Sequence, residues 1–285
     1  MIRQRPVELL APARNVECAM AAVDHGADAV YIGAPRFGAR ASAGNSVEDI
    51  ARLVEYAHTF RVKVYVTVNT ILKDEELPET ERLVWALYRV GVDALIVQDM
   101  ALLELDLPPI PLHASTQMDN RTPEKVKFLH GLGFSQVVLA RELSLAEIQA
   151  VHEACDVPLE VFVHGALCVS YSGQCYVSQH CFGRSANRGE CAQFCRLKFD
   201  MVDSDGRMIE QGRHLLSLKD MNRGADLERL LDAGVTSLKI EGRLKDVAYV
   251  KNVTAWYRSR LDEIFKRRPE YRRASSGQVS LAFTP

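Results

Sequence analysis

The sequence predicts an α/β fold: a modified TIM-like (β/α)8 barrel with a cysteine-rich insertion after its seventh strand. Three observations predict it. Over the first two-thirds of the 285 residues, short apolar runs rich in β-branched residues alternate with amphipathic stretches. Parallel strands buried on both faces alternate with their covering helices in this way. The helix-to-strand joint recurs almost verbatim, as HGADAVYIG (25–33), VGVDALIVQD (90–99), LGFSQVVLARE (132–142) and AGVTSLKIEGR (233–243). Gly26, Gly91, Gly133 and Gly234 each fall just past a helix end, where a left-handed backbone is needed. Finally, no GxGxxG follows the first strand, and the repeat never pauses to reverse strand order. A closed barrel is therefore favoured over a doubly wound dinucleotide-binding sheet.

Strands are expected at VELLAP (7–12), AVYIG (29–33), VKVYVTVN (62–69), ALIVQD (94–99), PLHAST (111–116), QVVLA (136–140) and LEVFVHG (159–165). Helical periodicity occupies SVEDIARLVEYAH (46–58), PETERLVWALYRV (78–90), TPEKVKFLHGL (122–132) and SLAEIQAVHEA (144–154). Several of these open on Ser or Thr with Glu two or three places on, which is N-cap chemistry. Beyond the seventh strand, KFDMVDSDGRMIEQ (198–211) carries two β-like runs around Asp205-Gly206, the signature of a hairpin. Two runs then compete for the eighth barrel position. SLKIEG, within SLKIEGR (237–243), is assigned to it, and HLLSLKD (214–220) is left undecided. Helices are expected near 224–233 and 246–266. Residues 1–266 thus read as the barrel, including a cysteine-rich, cluster-binding segment at 164–198. Residues 267–285 read as a C-terminal tail, with VSLAF as an unpartnered strand that opens a further module.

Composition narrows the class. The chain is 47% hydrophobic and 25% charged, enough for a large core with an ordinary surface. A net charge of −2 does not announce a nucleic-acid protein, but leaves room for a local basic face. No signal-peptide pattern and no long apolar span is present, so a cytoplasmic protein without a membrane span is expected. In that compartment clustered thiols stay reduced and serve metal binding or chemistry.

A barrel of this kind places its site at the C-terminal strand ends. Those ends read Asn69, Gln98-Asp99, Ser115-Thr116-Gln117, Arg141-Glu142, His164, Lys219-Asp220, Glu241 and Arg243. Arg141, Lys219 and Arg243 suit an anionic ligand, and Glu142, Asp99 and Glu241 serve as their partners or as acid–base groups. The candidate catalytic set is His164, Arg141, Glu142, Glu241 and Arg243. The candidate substrate-binding set is Asn69, Asp99, Gln117 and Lys219, joined by Arg184 and Arg188 of the basic loop FGRSANRGE (182–190).

Five of seven cysteines fall within HGALCVSYSGQCYVSQHCFGRSANRGECAQFC (164–195). Four follow the spacing Cys168-x6-Cys175-x15-Cys191-x3-Cys195, with Cys181 between. Structural zinc sites use a tight C-x2-4-C pair at both ends, and only the second pair here is tight. The CxxxCxxC of radical enzymes is absent. Iron–sulfur clusters tolerate irregular spacing, and one with four thiolates would use Cys168, Cys175, Cys191 and Cys195. Cys181 is a spare or substitute ligand, and Cys18 and Cys155 read as small core residues on helices.

The stretch EVFVHGALCVSYSGQCYVS (160–178) matches throughout the signature E-x-F-x-x-G-[SA]-[hydrophobic]-C-x4-G-x-C-x-[hydrophobic]-S. With ELLAPA, DAVYIG, STQ, LARE, SLKIEGR and RSANRGECAQFCR, it resembles the collagenase-like protease family, peptidase family U, number thirty-two, over about residues 7–260. Arg14 departs from the glycine usual after LLAPA, and members that act on RNA continue well beyond this chain's end. The resemblance implies a TIM-like barrel with an oxygen-sensitive [4Fe-4S] cluster on Cys168, Cys175, Cys191 and Cys195. It further implies hydroxylation of tRNA wobble uridine or ribosomal RNA cytidine with a prephenate-like co-substrate, and RNA or a protein chain as partner. Two alternatives stand beside this reading: a collagenase-like peptidase, for which no HExxH, GxSxG or local Cys–His signature exists, and a subunit of an anaerobic quinone hydroxylase.

Overall fold

The computed structural model describes residues 4–39 and 44–275. Eight parallel strands close a barrel: β1 (Arg5–Ala13), β2 (Ala29–Gly33), β3 (Lys63–Val68), β4 (Ala94–Val97), β5 (Leu112–Ala114), β6 (Gln136–Val138), β7 (Leu159–Gly165) and β11 (Val235–Ile240). Sequential neighbours pair from β1 to β7, and β11 closes the circle between β7 and β1. SLKIEG therefore supplies the eighth strand. The undecided run at 214–220 forms no strand, and its Leu215, Leu216 and Leu218 are exposed. A barrel strand buries both faces, and that run has nothing to bury against.

The outer helices are α1 (Val16–Asp24), α2 (Val47–Thr59), α3 (Leu77–Arg89), α4 (Pro123–Gly131), α5 (Leu145–Ala154), α7 (Leu227–Asp232) and α8 (Val247–Arg267). Ser46 and Ser144 close full capping boxes with Asp49 and Glu147, and Thr122 caps α4. The start signals thus lie within a residue of the observed helix ends. Gly26, Gly91, Gly133 and Gly234 all take positive φ, between +86° and +97°. The link from β4 to β5 is a short 3-10 turn, Met100–Glu104, rather than an α-helix. The first turn, despite Arg14 where a glycine was expected, is capped by Asn15, whose side chain accepts from the Cys18 amide.

Apolar packing is divided by the barrel wall. Outward residues of the strands merge with the helices in one large core that includes Leu9, Ile32, Val66, Leu95, Val161 and Leu238. The lumen holds a smaller apolar group, Leu10, Ala29, Tyr31, Tyr65, Ala94 and Ile96. Much of the rest of the lumen is polar, with Phe162 among the exceptions.

Between β7 and α7 lies the insertion, with α6 (Val177–Phe182), the antiparallel hairpin of β8 (Phe199–Val202) and β9 (Met208–Arg213), and the short β10 (Met221–Asn222) antiparallel to the end of β7. The hairpin forms where the Asp205-Gly206 turn predicts it. After α8, β12 (Tyr271–Arg273) runs parallel to the start of β1, and Ser275 donates from Oγ to the buried Asp28 at 2.6 Å. The run VSLAF lies outside the described residues. Among the described residues, no helix is long and apolar enough to cross a membrane.

Candidate active site at the barrel mouth

Two cavities meet at the C-terminal end of the barrel. The first is a mouth pocket lined by Tyr31, Thr67, Asn69, Ser115, Gln117, Arg141, Phe162, Lys239, Glu241 and Arg243 among others. Seven strands or the residues just past them contribute, so the wall is as rigid as the barrel. Asn69 is fixed from both ends: its Nδ2 donates to Ser115 Oγ at 3.2 Å and its Oδ1 accepts from the Ala39 amide at 3.0 Å. Arg243 donates to Thr67 Oγ1 at 2.6 Å. The Arg141 guanidinium lies 4.0 Å from the Phe162 ring centre and donates to Glu241 Oε2 at 2.7 Å.

Below the pocket the lumen is a polar stack. Lys239 Nζ donates to Glu160 Oε1 at 2.6 Å, and Gln136 Nε2 donates to Glu160 Oε2 at 2.6 Å. Deeper still, Tyr65 and Ser237 donate to the two oxygens of Glu8 at 2.6 and 2.7 Å. Burial outweighs those bonds and pushes the Glu8 carboxyl up to about 7. Burial, with Lys239 nearby, pushes His113 down to about 3 and so keeps it neutral. Sequence reasoning missed Glu8, Glu160 and Lys239. Their signal was present: each is a charge inside an otherwise apolar strand, VELLAP, LEVFVHG and SLKIEG.

The second and larger cavity lies between the insertion and the rim. Cys168, Cys191 and Cys195 line it, with Gly189, Gln193, Arg196, Gly242, Leu244 and Lys245. It shares Arg141 and Glu241 with the mouth pocket. Burial raises the Cys195 thiol, Arg196 opposes that rise, and the Cys168 and Cys191 sulfurs add to it. The Gln193 amide donates to Cys191 Sγ at 3.4 Å. Three thiols on one cavity wall with cations beside them fit a soft metal or an iron–sulfur group. Cys175 stands outside the lining, and among the described residues no three of His, Cys, Asp or Glu already converge as one coordination set. All seven cysteines are unpaired, and Cys181 is exposed, whereas Cys18 and Cys155 are buried as expected of core residues.

The insertion is held over the mouth by a few polar pins. Ser172 donates from N and Oγ to the Glu142 carboxylate, both at 3.0 Å. Arg188 forms a bidentate pair with Glu76, at 2.6 and 2.9 Å, and donates to the Ile71 carbonyl. This pairing holds Glu76 down at about 2. Arg196 donates to the Leu167 carbonyl and to Ser217 Oγ. At Gly173, φ is +77° and an added Cβ would stand 2.1 Å from the Gln117 carbonyl oxygen, so only glycine lets the insertion approach this closely.

Of the expected site residues, Arg141, Glu241, Arg243, Asn69 and Gln117 converge on the mouth pocket. Six others lie outside the mouth pocket. Glu142 anchors Ser172 rather than facing the pocket. Asp99 accepts from the Leu72 and Ala101 amides, so its carboxylate is a turn cap. Arg188 is consumed by Glu76. Arg184 and Lys219 are exposed and outside both linings. His164 shares strand parity with Glu160 and Phe162, which predicts an inward side chain. A register slip between the Lys239–Phe162 and Ile240–His164 pairs breaks that parity. Its ring instead meets Tyr249 and Tyr257 of α8, and burial lowers its pKa.

Comparison with known proteins agrees with this fold. The family model described as peptidase family U32 matches residues 14–283. The chain is 58% identical over 279 residues to the 23S rRNA 5-hydroxycytidine synthase of Escherichia coli, covering 98% of this chain and 43% of that protein. It is 38% identical over 272 residues to tRNA hydroxylation protein P1 of Bacillus subtilis, covering 92% and 64%. It is also 33% identical over 271 residues to a protein named collagenase in Porphyromonas gingivalis, covering 90% and 65%. The chain thus spans less than two-thirds of the length of each of these relatives. A solved U32 peptidase superposes with a TM-score of 0.51 at 16% identity, covering 85% of this chain and 94% of that one, a likeness of fold.

Proposed function

The chain belongs to peptidase family U32, and on that premise we propose that it is a cytoplasmic RNA hydroxylase, adding a hydroxyl group to a pyrimidine base. The observation that carries the proposal is the shared wall: Arg141 and Glu241 line both the thiol cavity and the polar mouth pocket. A redox group held by the thiols therefore borders a ligand seated in the mouth. Cys168, Cys175, Cys191 and Cys195 would hold a [4Fe-4S] cluster, which when bound supplies one-electron redox chemistry.

The chain's own residues have separable tasks in this reading. Arg141, Lys239 and Arg243 set three cations against the single lining carboxylate Glu241, and so favour an anionic co-substrate such as a prephenate-like carboxylate. Asn69 and Gln117 supply directional hydrogen bonds. Glu241, bonded to Arg141, is the acid–base group nearest the thiols. The insertion screens the mouth from water, and RNA approaches over its outer rim. Identity of 58% with a ribosomal RNA enzyme against 38% with a tRNA hydroxylation protein favours a ribosomal cytidine as the target.

The test is nucleoside mass spectrometry of ribosomal and transfer RNA from a strain deleted for the gene. Loss of 5-hydroxycytidine from ribosomal RNA, restored by the wild-type gene, supports the proposal. If every hydroxylated nucleoside persists, the proposal is wrong.

A further inference from the structure

We infer that Lys239 is a ligand-contacting residue, the cation on the floor of the mouth pocket that holds the anionic group of the bound ligand. The inference rests on the mouth being a ligand pocket and does not depend on RNA as the substrate.

Placement comes first. Lys239 lines the pocket, yet its side chain is only 4% exposed, so it meets the pocket from below rather than from solvent. Its ammonium lies 4.3 Å from the Tyr31 ring centre and 5.4 Å from that of Phe162, between two aromatic walls. An ammonium has three N–H donors. The hydrogen bond it makes here, to Glu160 Oε1, uses one of them. Donors remain for a ligand atom entering from above.

Energetics point the same way. Glu160 is fully buried, so this ion pair is taken wholly out of water. A buried pair of this kind is often no more stabilising than apolar side chains of equal volume. The neighbouring lumen positions Leu10, Tyr31 and Ile96 show that apolar packing is accommodated in the lumen. A charge kept where packing alone would suffice marks a functional position. Gln136 donates to the second Glu160 oxygen, so the carboxylate is clamped and cannot swing up to neutralise the pocket. Arg141 is meanwhile engaged by Glu241 at the rim. Lys239 is therefore the deepest cation of the lining, held in one place before any ligand arrives.

The test compares two probes that differ in charge but little in shape, 4-hydroxybenzoate and 4-hydroxybenzamide, by calorimetric titration of the anaerobically purified full chain. The wild type is expected to bind the acid about tenfold more tightly than the amide. Lys239→Met is expected to cut that preference to about threefold or less, the remainder coming from Arg141 and Arg243, while leaving amide affinity unchanged. Removing Lys239 alone orphans a buried carboxylate and threatens folding. The double variant Lys239→Met with Glu160→Gln removes both charges and decides the question if the single variant fails to fold. A wild type with no preference for the acid overturns the inference. So does a folded variant that keeps the full preference, or one that loses both probes equally.

Discussion

The barrel and its insertion are built on different principles. Every position of β2, β4 and β6 is buried, and the wall is continuous with a core that runs out through the helices. The hairpin β8–β9 is exposed along nearly its whole length, and most of the large exposed apolar side chains, including Tyr171, Tyr176, Phe182, Met201 and Ile209, lie in the insertion. Burial fixes the barrel. The insertion is fixed instead by named contacts: Glu142 to Ser172, Arg188 to Glu76, Arg196 to Leu167 and Ser217, and close packing at Gly173. A division of labour follows. The barrel sets the polar pocket to within a hydrogen bond, and the insertion brings the thiols to its edge through contacts that can be removed one at a time.

The comparison predicts a graded set of losses. The largest is at the thiols. Anaerobically purified protein is expected to carry about four irons per chain, and Cys195→Ala to lose most of that iron together with all hydroxylation, while thermal unfolding of the barrel changes little. A colourless protein carrying one zinc would break the cluster assignment. Next comes the shared wall. Glu241→Gln leaves the half-buried Arg141 without its carboxylate and is expected to lower hydroxylation at least ~100-fold, a loss of about 3 kcal/mol in transition-state stabilisation. Iron content should stay at the wild-type level, which separates the wall from the thiols.

A smaller effect is expected at the pins. Arg188→Met removes a partly exposed bidentate pair worth about 1–2 kcal/mol. Hydrogen exchange should accelerate across 183–196 and stay unchanged in the barrel strands. Because Arg188 holds Glu76 down at about 2, its contribution is full above the usual carboxylate range and is lost as pH falls from about 4.5 toward about 2. That part of the insertion's acid sensitivity should vanish in Arg188→Met. The smallest effect is expected at His164. Its ring faces Tyr249 and Tyr257, so His164→Gln should change the hydroxylation rate less than about twofold, with at most a modest drop in melting temperature. A loss as large as that of Glu241→Gln would return His164 to the catalytic set.

Much of this protein is determined by its sequence alone. The βα repeat, the four glycine joints, the Ser and Thr caps and the Asp205-Gly206 hairpin each depend on local backbone preference and periodicity, which neighbours in the chain express directly. The cysteine spacing and the polar strand ends were legible for the same reason. Tertiary structure decided which of those polar residues face one another. Glu142, Asp99 and Arg188 are as polar in sequence as Glu241 and Arg141, but the insertion consumes Glu142 and Arg188 as anchors, and the loops after β3 and β4 consume Asp99 as a cap. A one-residue register slip turned His164 out of the lumen, an event no period-two pattern contains. Glu160 and Lys239 lie 79 positions apart and become partners only because β7 and β11 are neighbours in a closed barrel. Local preference writes the elements, whereas the pairing of buried charges depends on barrel closure.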